Sequence, residues 1–185
     1  MTKKLQTSSQ TVGPFFKIGM TYNDLNIMVN DATEGERITI GGYVYDGNGN
    51  PVDDAVIELW QADANGIYNH PSDAGQANAD QGFFGFGRAS TDDDGRYHFK
   101  TIKPGRVGDQ APHILVRIFM RGMLLHANTR LYFSDEENGA DAVLNMVPED
   151  RRHTIIAVRN DREGTPNYRY DVNMQGENET VFFEP

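Results

Sequence analysis

Residues 111–119 read APHILVRIF, a strand-like run that carries one histidine, His113. Side chains two residues apart on a strand share a face. His113, Leu115, Arg117 and Phe119 therefore line one side, and Ile114, Val116 and Ile118 the other. An H-x-H pair on such a strand would hold out two imidazoles to one metal ion. Here the second position is Leu115, which cannot ligate, and His113 alone reads as a histidine hydrogen-bonded within its sheet. The other histidines, His70, His98, His126 and His153, form no H-E-x-x-H pair, and no serine stands in a nucleophile-elbow setting. The run DGNGNP (46–51) begins like a calcium loop, with Asp46, Asn48 and Asn50 at alternate positions. The sixth and twelfth positions, where such a loop needs Gly and Glu, hold Pro51 and Ile57. It reads as a hairpin turn, and so does DDDG (92–95). Arg130 in NTRLYF reads as half of a structural ion pair, and Trp60 and the aromatics of GFFGFG as packing.

Strands must position these residues. ERITIGGYVYD (36–46) alternates, with Ile38, Ile40, Gly42 and Val44 on one side, and DDAVIELWQA (53–62) follows the turn. Further strands are expected in 83–90, 92–102, 111–122, 124–133, 153–159 and 168–176. Eight or nine strands at this spacing predict an all-β fold, an antiparallel β-sandwich or barrel. At most one or two short helices are expected, near 135–147. Residues 1–35 are polar and irregular apart from QTVGPFF (10–16). They read as an N-terminal arm that packs on a partner chain, with the sandwich domain spanning 36–185.

Composition narrows the function. The chain has 185 residues, a formal net charge of −10 and no cysteine. That is enough chain for one domain with a sizeable core. The acidic balance argues against nucleic acid and anionic membrane surfaces. Disulfides, thiolate metal sites and cysteine nucleophiles are excluded. No run approaches the ~20 apolar residues of a membrane helix, and MTKKLQTSSQ lacks the apolar core of a signal peptide. A cytoplasmic protein is the expectation.

The segment GYVYDGNGNPVDDAVIELWQADANGIY (42–68) closely resembles the signature segment of the intradiol ring-cleaving dioxygenases. The likeness continues through GFGRASTDDDGRYHFKTIKPG (85–105), APHILVRIFMRG (111–122), TRLYFSDE (129–136) and the tail QGENETVFFEP (175–185). TSSQTVGPFF (7–16) and that tail resemble the iron-free chain of a two-chain member. The resemblance implies a ferric ion held, in the working chain, by two tyrosines and two histidines. Hard phenolates suit Fe(III). A catechol binds the ion through both oxygens, and dioxygen is inserted between the two hydroxylated carbons. Mapped here, the first tyrosine position is Tyr68, the first histidine position is His113, and the second histidine position is Leu115. The stretch where the second tyrosine belongs, RVGDQAP (106–112), has none.

One phenol and one imidazole are too few for a tight ferric site. No iron and no catalytic residue are therefore expected in this chain, and Fe(III) is expected in a partner beta subunit. The resemblance further implies that Thr11, Gly13 and Pro14 line the partner's pocket. Arg121, by itself a charge at a strand end, is implied near the carboxylate of a substrate such as protocatechuate, with O2 as co-substrate. Two rival readings stand beside this one. The first is a self-sufficient dioxygenase using Tyr68 and His113 with His70 or Tyr97; the second is a β-sandwich binding module.

Overall fold

The computed structural model describes residues 5–161 and 164–184. Nine strands form one curled sheet: β1 (Arg37–Tyr45), β2 (Val56–Gln61), β3 (Phe86–Ser90), β4 (Arg96–Ile102), β5 (His113–Phe119), β6 (Ala127–Phe133), β7 (Ile156–Arg159), β8 (Asn167–Arg169) and β9 (Val172–Asn173). Their lateral order is β3-β2-β5-β6-β7-β8-β1-β4, with β9 alongside β1. The end strands β3 and β4 are joined by the 91–95 turn and touch each other, so the sheet bends back on itself around one core. Ile38, Ile40, Val44, Ile57, Leu59, Phe99, Ile114, Val116 and Ile118 fill that core. The alternation read in β1 is present, each second residue from Ile38 to Val44 being buried.

The expectation of a purely antiparallel sandwich needs correction. β6 pairs with β7 in parallel, and so does β1 with β8 and with β9. The β6–β7 pairing follows from its connection. Residues 134–155 contain helix α2 (Ala142–Asn145) and a 3-10 segment, Glu149–Ile155. A crossover of that length returns the chain to the same end of the sheet, which a hairpin turn cannot do.

The irregular arm also needs correction. It contains a helix, α1 (Pro14–Met20), with Gly13 extended before it and Pro14 at its first position, where a missing N–H costs nothing. Phe16 packs its ring 5.3 Å from that of Phe119, while Phe15 and Ile18 remain 80% and 66% exposed. Residues further along the arm belong to the chain's own sheet: the Met28 amide donates to Lys100 O, Lys100 N donates to Asn26 O, and Met28 enters the core.

One glycine fixes the path to Tyr68. Asp63 Oδ1 accepts from the amides of Asn65 and Ile67 at 2.8 and 3.0 Å, closing a turn in which Gly66 has φ +80°. A Cβ on Gly66 would stand 1.8 Å from the backbone oxygen of Arg106. Gly66→Ala therefore meets both backbone strain and a rigid clash, and is expected to destabilise the chain by about 3 kcal/mol. The midpoint of urea unfolding checks this.

Candidate functional site

The positions singled out by sequence fall into two groups at opposite ends of β5. At its start, register sets the geometry. Leu115 stands opposite Trp60 of β2 on one side and Arg130 of β6 on the other. Tyr68 stacks on Trp60, ring centroids 5.9 Å apart and planes 15° from parallel. His113 lies opposite Tyr132, with ring centroids 6.0 Å apart. The fold thus gathers Tyr68, His113 and Leu115 on the outer face of β2-β5-β6. His113 is only 2% exposed, whereas Leu115, on the same face, is 37% exposed. The difference comes from a small second core of Ala111, Tyr132, Leu144, Val147 and Ile155 that covers this end of the sheet.

His113 Nδ1 lies 2.8 Å from the carbonyl oxygen of Ala111. A carbonyl only accepts, so Nδ1 carries the proton and Nε2 the lone pair. Burial pushes the imidazole pKa down, with the Ala111 bond opposing and the Arg130 charge assisting, so the ring is neutral. Burial pushes the Tyr68 phenol up, only partly offset by Arg130. Tyr132 is pushed up to about 12 by burial, against the pull of Arg130.

Asp141 ties this end together. Its side chain, fully buried, accepts from the amides of Ala111, Val143 and Leu144 and from the Tyr132 hydroxyl at 2.8–3.0 Å. It caps α2 and anchors the chain just before His113 in one step. Arg130 is not the ion pair expected of it. Its Nη1 donates to Gln110 Oε1 at 2.7 Å and lies 3.5 Å from the Tyr132 hydroxyl, with no carboxylate partner among the described residues.

This donor set does not fit ferric iron. It offers the Tyr68 phenol, one imidazole and an aliphatic side chain, a second phenol, Tyr132, whose hydroxyl is committed to Asp141, and a guanidinium. Among the described residues no cluster of three or more His, Asp or Glu could hold a metal. The auxiliary groups of the self-sufficient reading do not help. His70 is exposed and meets the edge of Trp60, and Tyr97 is buried in β4, its hydroxyl donating to Tyr170 O.

The second group lies past the other end of β5. Thr11 Oγ1 accepts from the amide of Gly122 at 2.9 Å. Arg121 donates through Nε to Asp54 Oδ2, and its Nη2 stands 3.8 Å from Asp53 Oδ1. Lys17 of α1 donates to Asp53 O at 2.7 Å, which seats the helix, with Pro14 at its start and Gly13 just before it, beside the 120–123 turn. Thr11, Gly13, Pro14 and Arg121 therefore share one exposed corner. It borders a cleft of about 360 Å³ lined by Met120, Met123, Met174 and Phe182. β5 separates this corner from His113 by six residue steps of ~3.3 Å, about 20 Å. Arg121 therefore lies at a different place from Tyr68, His113 and Leu115.

A family model described as Dioxygenase matches residues 12–176. The chain is 45% identical, over all of both chains, to the protocatechuate 3,4-dioxygenase alpha chain of Burkholderia cepacia. It is 34% identical to the beta chain from the same organism, over 84% of this chain and 71% of that one. Among solved structures, it resembles the dioxygenase domain of a dioxygenase carbohydrate-binding protein fusion from Streptomyces sp. SirexAA-E. The TM-score is 0.64 and the identity 26%, covering 80% of this chain and 85% of that one.

Proposed function

This chain belongs to the dioxygenase family, and on that premise we propose that it serves as the non-catalytic alpha subunit of a protocatechuate 3,4-dioxygenase. That enzyme uses O2 to open 3,4-dihydroxybenzoate between its hydroxylated carbons, giving 3-carboxy-cis,cis-muconate. The iron and the chemistry reside in a beta subunit, and this chain completes that subunit's substrate pocket. Both partner and substrate are carried over from the relatives, whose alpha and beta chains are each similar to this one. The cytoplasm is the proposed setting; among the described residues no helix is long and apolar enough to cross a membrane.

One observation carries the reading. The chain matches the alpha chain from end to end, while the relic ligand positions hold a donor set that cannot grip Fe(III). The corner formed by Thr11, Gly13, Pro14 and Arg121 is then free to face outward, about 20 Å from the chain's own relic site. There Arg121 is oriented by Asp54 through its Nε edge. Nη2 stands at the edge of ion-pair distance from Asp53, 3.8 Å away, and Nη1 is the nitrogen turned to a substrate carboxylate, for which a guanidinium is well shaped.

In the assembled enzyme, Arg121→Ala is expected to weaken binding of protocatechuate roughly tenfold to a hundredfold, the effect of losing a charge-assisted contact of about 1.5–3 kcal/mol. Binding of unsubstituted catechol should change far less. Steady-state kinetics with the two substrates check this, and equal losses on both would remove Arg121 from the pocket.

A further inference from the structure

We propose that the guanidinium of Arg130 stands in for the lost iron and is what closes the relic site to metal ions. Strand register places the charge. Leu115, the position where a second imidazole would project, has Arg130 as its direct cross-strand neighbour. Directly opposed side chains on one face of an antiparallel pair lie ~5 Å apart at Cβ. Trp60, on which Tyr68 stacks, flanks Leu115 on the other side. The Arg130 side chain is steered along this face by Gln110 and by the hydroxyl of Tyr132, whose ring packs against His113. Leu115 and the Tyr132 ring that packs on His113 thus flank this cation directly, and Tyr68 joins the same face through Trp60.

Its counter-charge is supplied indirectly. Tyr132 relays to the buried carboxylate of Asp141 at 3.0 Å. A half-buried guanidinium with hydrogen-bonding neighbours and no direct carboxylate satisfies the electrostatic role a metal ion would have had. The missing histidine alone is then an insufficient account of why this chain takes no metal, because a fixed positive charge would repel any ion that reached Tyr68 and His113.

The test rests on the proposed function only through the identity of the relic positions. It uses the full chain together with its co-purifying partner and counts bound metal against wild type prepared identically. Leu115→His restores the H-x-H pair, and Arg130→Gln keeps hydrogen-bonding capacity but removes the charge. The probe is Co(II), counted by plasma mass spectrometry, with circular dichroism confirming the fold.

Leu115→His alone is expected to add no metal. The double variant Leu115→His/Arg130→Gln is expected to add about one Co(II) per chain, enough donors being present for a tetrahedral site completed by water. Leu115→His/Arg130→Lys, which preserves the charge, should behave like Leu115→His.

Uptake by Leu115→His with Arg130 intact would overturn the inference, and that outcome does not require the double variant to fold. A folded double variant that gains no metal would overturn it as well, and so would equal uptake with lysine and glutamine at 130. Iron on the wild-type chain itself would instead sink the proposed non-catalytic role, so the two failures are distinguishable.

Discussion

Purified without a partner, this chain is expected to carry no stoichiometric iron and to open no catechol ring, and incubation with iron salts should change neither result. Fe(III) must displace the Tyr68 proton to form a tyrosinate, and burial pushes that phenol up, which adds to the cost. His113 offers one lone pair, and Leu115 offers none. Arg130 adds repulsion. A trivalent ion about 5 Å from a guanidinium would meet roughly 10 kcal/mol of it at an effective dielectric of about 20. Two neutral donors cannot offset that. Metal analysis and oxygen uptake check the result, and ring cleavage should return when an iron-bearing beta chain is added. Stoichiometric iron with a tyrosinate absorption band on the lone chain would end the non-catalytic reading.

Asp141→Ala should be the most damaging single change to the fold, costing about 3–5 kcal/mol. The mutation removes the cap of α2 and strands the amide of Ala111 and the hydroxyl of Tyr132 in a buried setting. Each stranded group alone costs ~1–3 kcal/mol, and loss of the cap adds ~1 kcal/mol.

The pH dependence has a definite sign. Burial by itself would raise the Asp141 carboxyl, but bonds from Leu144, Ala111, Tyr132 and Val143 outweigh it and hold the group below its ordinary value. Its contribution is therefore fully present above the unfolded carboxylate pKa of ~3.9 and fades as pH falls through the lowered folded value. Asp141→Asn should accordingly flatten the acid limb of the stability curve as well as lower the whole of it. Denaturant titrations of wild type and variant from neutral pH to acid measure both effects. An unchanged acid limb would show that the carboxylate charge is not what Asp141 contributes.

Much of the fold was legible because local pattern and tertiary role agree. The period-2 burial of Ile38, Ile40, Gly42 and Val44 in β1, and the turn in which Asp46 accepts from the amides of Asn48 and Asn50, are both local. The parallel pairings of β1 and β6 were not legible, because nothing local marks the partner of a strand reached by a long crossover. The helix α1 was hidden in a short aromatic run whose one clear signal is Pro14 at its first position.

At the site, the substitution at Leu115 and the tyrosine-free stretch 106–112 could be read directly. The place of Arg130 could not be read from its neighbours in sequence. It needed the hairpin register, in which a pivot at Gly122–Met123 brings Leu115 and Arg130 together. Asp141 gave no signal beyond that of a helix cap. A lone aspartate in NGADAVLN looks like any cap, and only burial shows that it also holds Ala111 and Tyr132.

The apolar side chains that α1 leaves in solvent have a cost outside the active site. Phe15 and Ile18, with Tyr22 just beyond them, form a sticky shoulder on a chain that is otherwise strongly acidic. In the proposed two-chain assembly, copies made in excess of their mate are expected to expose this surface, and matched translation of the two polypeptides would limit it.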